Sequence, residues 1–341
     1  MMTNEGRKTA VVILNYNGKA LLEKFLPSVL LYTPDAEIIV ADNASTDDSI
    51  LFLKNNYPQV RRIALAQNYG FAGGYNMALQ EVQASYYVLL NSDVEVSENW
   101  LSPLVEVLDS KENIAACQPK IKAYSQKTHF EYAGAGGGLI DFLGYPFCRG
   151  RVFGTLEQDL GQYADTVPVF WASGACLAIK AADFHAQNGF DADFFAHMEE
   201  IDLCWRLKNA GKQVYYCGKS TVFHVGGGTL HTDNPRKAFL NFRNNLVMLW
   251  KNLPSQKVAY ILFLRMILDG IAAIQMTLSG KWWAIPTVIQ AHFYLYKNIR
   301  TLISKRKHNQ ANITHKKHKE IYPKSIVWQH FIKKEKNIKI E

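Results

Sequence analysis

The sequence predicts an α/β protein: a mainly parallel sheet flanked by helices, followed by a helical extension that associates with a membrane surface. Three observations carry that prediction. Apolar, β-branched runs alternate with helical patterns through the N-terminal third of the chain. Each of these runs stops abruptly at polar residues. After about Asn234 the chain becomes strongly apolar and then basic.

The first strand is read in "KTAVVILNYNG", an apolar run broken at Asn15-Tyr16-Asn17-Gly18, and "KALLEKFLPSVLLY" follows with helical spacing. The second, "AEIIVADNASTDDS", stops at Asp42, with Ser45, Thr46 and Asp47 placed to start a helix. "VRRIALAQNYGFAGGYNMALQEV" supplies a third strand, a glycine-rich turn and a helix. "YYVLLNSDVEV" is the fourth, ending in Asn91-Ser92-Asp93. Ligands of such sheets bind at the carboxyl ends of the strands. Asn15, Asp42, Asn68 and Asp93 all fall there, and four polar strand ends at one edge outline a site.

From about Gln118 to Val169 the chain is rich in Gly, Tyr and Phe, which implies loops and short strands covering that site. Order returns in "VFWASGACLAIKAADF", "MEEIDLCWRLKNAG" and "KQVYYCGKSTVFHVGGGT". "AFLNFRNNLVMLW" reads as a helix, and "VAYILFLRMILDGIAAIQMTLSG" as an apolar one interrupted by Arg265, Asp269 and Gln275. Arg265 and Asp269, four residues apart, can pair on one face but are costly in lipid, so an interfacial or bundle helix is expected rather than a span. The boundaries that follow are residues 1–233 for the α/β domain, 234–304 for the amphipathic extension and 305–341 for a basic tail.

Composition excludes several classes. The chain has 341 residues, 48% hydrophobic and 20% charged, as a globular protein does. Its five cysteines are scattered and odd in number, which argues against a disulfide framework or structural zinc and for a reducing, cytoplasmic setting. The N-terminus lacks the apolar region of a signal peptide. The formal net charge is +8, and from Lys281 onward Lys and Arg outnumber Asp and Glu by 14 to 3. A basic end of that kind suits the anionic inner face of a cell membrane. It lacks the interleaved motifs of nucleic-acid binding, so no nucleic-acid partner is expected.

At the fourth strand end, Asn91 and Asp93 are two apart and offer hard oxygen ligands of the kind Mg²⁺ or Mn²⁺ takes together with phosphate and water. Gly70, Gly73 and Gly74 allow close backbone approach, and the helix they open offers its N-terminal amides. Acidic Glu199, Glu200 and Asp202 complement a helix N-terminus.

In this order "VVILNYNG", "VADNASTDDS", "NYGFAGGYN", "LLNSDVEV", "SGACLAIKAADF", "HMEEIDLCWRL" and "VFHVGGGT" resemble a family-2 glycosyltransferase of the GT-A fold. The resemblance covers about residues 8 to 250 and is greatest to rhamnosyltransferase-like, non-processive bacterial members. It implies an inverting transfer of one sugar from a UDP- or dTDP-linked donor to a glycan or lipid-linked acceptor. Asp42 then matches the carboxylate that bonds the pyrimidine base, and Asn15, Asn68, Gly73 and Asn76 help form the donor pocket. "NSD" matches the Asp-x-Asp element, with Asn91 in place of the first Asp and Asp93 as metal ligand. Glu200 takes the place of the general base, and His224 matches a His that contacts metal or diphosphate. Glu199 and Asp202 are expected to orient loops or helix contacts, and Trp171 and Gly174 of "WASGA" to line a sugar or acceptor pocket. Arg243 is expected to reach the diphosphate. The competing readings are an inactive nucleotide-sugar-binding scaffold, suggested by Asn91 and by Glu at position 200, and a sugar nucleotidyltransferase. The latter calls for a Gly- and Arg-containing phosphate loop after the first strand, where this chain has "LNYNGKALLEK".

Overall fold

A computed structural model describes residues 8–226 and 234–335. Its N-terminal part runs β1 (Thr9–Asn15), α1 (Lys19–Leu31), β2 (Glu37–Asp42), α2 (Ser49–Asn56), β3 (Arg61–Ala64), α3 (Gly70–Leu79) and β4 (Tyr86–Asn91). β1 pairs in parallel with β2 and β4, and β2 with β3. β1, β2 and β4 are apolar between their first and last residues because both faces of the sheet are covered there, whereas the edge strand β3 buries Ile63 alone. Ala10 and Val12 belong to one core, and Val11 and Ile13 to the other.

The sheet then changes sense. β5 (Val94–Val96), α4 (Ser102–Ser110) and β6 (Ile114–Ala123) lead into four short strands. These are β7 (Gly138–Asp141), β8 (Pro146–Cys148), β9 (Arg151–Val152) and β10 (Thr155–Leu156), which form a small second sheet. β11 (Thr166–Val169), β12 (Cys176–Lys180), α5 (Ala181–Ala186), α6 (Glu199–Asn209) and β13 (Gln213–His224) complete the domain. The large sheet has the order β11-β13-β6-β12-β4-β1-β2-β3, with β5 on β13. β12 is antiparallel to both of its neighbours, since the chain enters it from the edge where β4 ends, opposite Leu90. The sheet is therefore parallel through β3, β2, β1 and β4 and mixed beyond.

Register places the strand ends together. Asn15 lies opposite Asp42, and Leu14 opposite Asn91. On the far side of the sheet His224 lies opposite Val94, one residue from Asp93.

α7 (Pro235–Asn252) starts on Asn234, whose side chain accepts from the Arg236 amide, with Pro at the first helical position. α8 (Ser255–Leu278), α9 (Ala284–Lys297) and α10 (Ile299–Ala311) follow. Among the described residues α8 is the one helix long and apolar enough to cross a membrane, by length and composition alone. Its polarity is inverted: the charges face the protein. Buried Arg265 donates to the Leu143 carbonyl at 3.1 Å and lies 3.6 Å from the centre of the Tyr145 ring. Its neighbour Asp269 is equally buried and meets His292 of α9 at 3.5 Å. Outward lie Tyr260, Phe263, Ile267, Ile271, Ile274 and Leu278, all exposed. The basic segment after residue 305 finishes α10 and then returns to the α/β part of the chain. There β14 (Ile321–Tyr322) adds in parallel to β7, and Ile326 is buried against Leu139, Phe147 and Val152.

Candidate active site

The edge formed by β1, β2 and α3 is a hydrogen-bond lattice. Asn15 Nδ2 donates to Asp42 Oδ1 at 2.9 Å and to Ser45 Oγ at 3.1 Å, and the Ser45 amide donates to Asp42 Oδ2 at 2.9 Å. Asp42 thus keeps one lone pair on each oxygen for a ligand. Asn15 orients that carboxylate, and its own Oδ1 is buried without a partner. Asn43, which sequence reasoning missed, ties this edge to the glycine-rich turn. Its Nδ2 bonds Asn68 Oδ1 at 3.1 Å and the Gly70 carbonyl at 2.9 Å, and its Oδ1 accepts from the Tyr69 amide.

Two expectations for that turn are corrected. The first amides of α3 are not open: Phe71 and Ala72 both donate to the Phe195 carbonyl, at 2.7 and 3.1 Å. Asn76 does not face the cleft either, because both ends of its amide bond the Phe190 backbone, at 2.8 and 2.9 Å. Gly70 is required where it stands. Its φ is +72°, and a Cβ there would come within 2.5 Å of Phe195. Gly73 lies buried inside α3 against Tyr69.

At the end of β4 the expected partners meet. His224 Nε2 lies 3.2 Å from Asp93 Oδ1 and 3.4 Å from Asn91 Nδ2. On its other side His224 Nδ1 lies 3.1 Å from Glu131 Oε2, an acid with no motif around it in the sequence. All three of Asp93, Glu131 and His224 are buried. Burial works against the His224 charge, but its bonds to Asp93 and Glu131 outweigh burial and push the imidazole up to about 10. Burial raises Asp93, and the bond and charge of His224 bring it below the ordinary carboxylate range. Among the described residues no three His, Cys, Asp or Glu side chains form a self-sufficient metal cage. Gly227, Gly228 and Thr229 of the "VFHVGGGT" motif lie outside the described residues.

α6 brings the acids. Glu199, Glu200 and Asp202 occupy its first turn, after Phe195, His197 and Met198 with φ of 63°, 71° and 72°. Left-handed backbone at three non-glycine residues persists only where its surroundings hold it. Asn244 does so: its Nδ2 reaches the carbonyls of Phe194, Ala196 and His197 at 3.0, 2.9 and 2.7 Å. Arg243 beside it donates to the Asp193 and Phe194 carbonyls, both at 2.9 Å. This corrects the diphosphate role expected of Arg243, whose guanidinium is committed to the loop. The sequence signal was the right segment, "NFRNN", read one residue early.

The three acids separate by surroundings. Asp202 is fully buried and neutralised, meeting Arg206 at 2.9 Å, Lys251 at 2.9 Å and Asn252 at 2.8 Å, so its role is structural. Glu199 and Glu200 each have an Oε2 that is buried without a protein partner. Burial raises both carboxyls, Glu200 to about 7, and the neighbouring charge adds to it at Glu199. Gly174 adjoins Glu200, since a Cβ there would lie 3.9 Å from Glu200 Cβ. The next residue, Ala175, accepts from the Asn91 amide at 3.0 Å, which sets Glu200 across one turn from the strand that carries Asp93. Trp171 does not join the cleft. It is 3% exposed, and its indole donates to the Leu139 carbonyl at 2.8 Å.

Residues 10–170 match the Glycosyl transferase family 2 model. The chain is 27% identical over 231 residues to an N-acetylglucosaminyl-diphospho-decaprenol L-rhamnosyltransferase of Mycobacterium tuberculosis, covering 63% of this chain and 75% of that one. It is 26% identical over 257 residues to the rhamnosyltransferase WbbL of Escherichia coli, covering 73% and 93% respectively. In fold it is similar to a mannosyltransferase of Pyrobaculum calidifontis solved with GDP-Man and Mn²⁺. The TM-score is 0.52, with 14% identity, 90% of this chain and 86% of that one covered. The chain carries a family 2 glycosyltransferase domain in a mixed α/β, GT-A-like fold, with rhamnosyltransferases among its relatives.

Proposed function

We propose that this chain is an inverting glycosyltransferase. It moves one sugar from a UDP- or dTDP-linked donor, dTDP-rhamnose included, to a glycan or lipid-linked acceptor in cell-surface polysaccharide synthesis. One observation carries the proposal. Glu200 offers a buried carboxylate oxygen that no protein group satisfies, one turn from the strand end that bears Asp93. A carboxyl raised to about 7 is matched to removing a proton near neutral pH. Glu200 takes the proton of the acceptor hydroxyl as the acceptor oxygen bonds to the anomeric carbon. The bond from that carbon to the diphosphate breaks, and its electron pair leaves with the nucleoside diphosphate.

Asp93 and His224 suit Mg²⁺ or Mn²⁺. The proton that His224 shares with Asp93 would give way to the ion, leaving a carboxylate and a neutral imidazole. The far nitrogen of that imidazole lies 3.1 Å from Glu131, and two protein ligands leave room for diphosphate oxygens and water. Such an ion would offset charge on the departing diphosphate. Asp42, held by Asn15 and the Ser45 amide, is assigned to the nucleotide base.

The same reading places the enzyme in the cytoplasm on the inner face of the membrane. The outward stripe of α8 is continued on α9 by Ile285, Ile289, Phe293 and Tyr296, with exposed Trp282 between the helices. Exposed Lys257, Lys297 and Arg300 complement anionic headgroups.

Calorimetric titration with UDP, dTDP and GDP, each with Mn²⁺ or chelator, tests the site. Metal-dependent binding that is lost in Asp93→Ala is expected, and a pyrimidine nucleotide should bind more tightly than GDP. Binding indifferent to chelator and to the substitution would remove the metal assignment. Binding without any sugar transfer would identify the inactive scaffold instead. For the membrane face, the triple variant Phe263→Ser, Ile271→Ser, Phe293→Ser should no longer float with anionic vesicles. Undiminished flotation would refute that face.

A further inference from the structure

Two arginines flank Gly150 in the turn from β8 to β9, and they differ in one respect. Arg149 has an acid partner: its Nη1 meets both oxygens of Asp165 at 3.0 Å. Arg151 has none. It is 6% exposed, its Nε is buried without a hydrogen-bond partner, and its Nη2 reaches only the Cys148 thiol, at 3.6 Å. Burial pushes that thiol above its ordinary range, so it stays neutral and does not offset the guanidinium. No carboxylate among the described residues forms an ion pair with Arg151. Glu131 is within electrostatic reach and favours the charged guanidinium, but no described carboxylate bonds it, so its hydrogen-bonding capacity is left for a ligand to complete.

Its surroundings say what the charge is for. Arg151 lies 4.4 Å from the centre of the Tyr132 ring, and Tyr132 is 57% exposed. Tyr132 directly follows Glu131, the acid that holds His224. Glu131 and Glu200 are both within electrostatic reach of Cys148, the residue paired with Arg151 across the turn. Glu131 also acts on the Arg151 charge itself, so the guanidinium lies near the His224–Glu131 pair. A planar, forked cation in that position is suited to phosphate oxygens.

We propose that Arg151 is a phosphate-binding residue of the substrate cleft, supplying the counter-charge for a diphosphate group that a substrate brings in. Two sources carry that chemistry under the glycosyltransferase reading on which this rests: the nucleoside diphosphate of the donor, and the diphosphate of a lipid-linked acceptor. Arg151 stays without an ion partner until one of them binds.

The test uses the full chain, as wild type, Arg151→Gln and Arg151→Lys. Each is titrated calorimetrically with UDP and dTDP in Mn²⁺, and with farnesyl diphosphate in detergent, with farnesol as the uncharged control. Arg151→Gln should bind one diphosphate ligand at least tenfold more weakly, with farnesol unaffected and the melting temperature no lower than wild type. Arg151→Lys, which keeps the charge and loses the fork, should fall between. A loss confined to the nucleotides assigns Arg151 to the donor, and a loss confined to farnesyl diphosphate assigns it to the acceptor. If Arg151→Gln binds every ligand within twofold of wild type, or weakens only together with a lowered melting temperature, Arg151 is a packing residue and the proposal fails. If wild type itself binds none of the diphosphates, the glycosyltransferase reading falls with it.

Discussion

The two sides of the cleft are built on opposite principles. On the β1–β2–α3 side, Asn15, Asp42, Asn43, Asn68 and Asn76 are joined to one another or to backbone. On the α6 side, Glu199, Glu200 and Arg151 hold buried polar atoms that no protein group satisfies. The first side is a nearly finished shape, in which Asn15 Oδ1 is the buried atom of these five residues left without a partner. The second is a set of unsatisfied groups that a ligand must complete. Unsatisfied buried polar atoms each cost about 1–3 kcal/mol, so a fold that retains several in one place is less stable than it would be without them. What separates the two sides is thus whether the folded chain or the bound substrates supply the last hydrogen-bond partners.

Asp202 sharpens the comparison, because it shares a helical turn with Glu200 and belongs to the finished kind. The largest expected effect comes from Glu200→Gln. Turnover should fall by about 10²–10⁴-fold with donor affinity kept, as removal of a general base does. A near-normal rate would move the base elsewhere and break the division between the two sides. Next, Asp202→Ala strands Arg206 as a buried cation, while Lys251 keeps Asp191, and should cost about 3–5 kcal/mol in denaturant unfolding. A loss below about 1 kcal/mol would show that the network is not what anchors α6 to α7.

A smaller effect depends on pH. Asp191 is partly desolvated, which raises its carboxyl. Lys251 at 2.7 Å and Lys305, also paired with it, outweigh that and hold it below the ordinary range. A depressed carboxyl stabilises the fold above its unfolded value, about 3.9, and loses that contribution as pH falls towards the folded value. Wild type should therefore melt higher than Asp191→Asn at pH 7, and the gap should shrink steadily below about pH 4. A gap that is constant with pH would mean that Asp191 acts by shape and not by charge.

Much of this was legible in the sequence where chemistry and chain position coincide. Asp93 follows a short run of apolar, β-branched and aromatic residues closed by polar ones, the pattern of a buried strand that delivers its end to the sheet edge. The acids at 199, 200 and 202 declare a helix N-terminus by their spacing alone. Arg265 and Asp269 in an apolar helix announced an unusual surface. Other features were not legible, because their meaning is a distance. Asn76 reads like a donor-pocket residue until the loop at Phe190 is seen to occupy both ends of its amide. Arg243 reads like a phosphate ligand until its nitrogens are found on the Asp193 and Phe194 carbonyls. Glu131 and Arg151 lie in an irregular segment with no period to mark them; the bond of the Glu131 amide to Ile121 of β6 brings it to His224, and the small second sheet sets Arg151 opposite Cys148.

By itself the sequence determined which strands are buried on both faces, where each ends, and that one long helix is apolar with two internal charges. These follow from local periodicity, which depends only on how often a residue returns to the same face. The tertiary structure alone decided which polar side chains satisfy each other and which are left for a ligand. It also turned Arg265 and Asp269 towards the protein and the apolar face of α8 outwards. A hydrogen bond joins residues far apart in the chain within a tolerance of a few tenths of an ångström, and nothing local in a sequence encodes that.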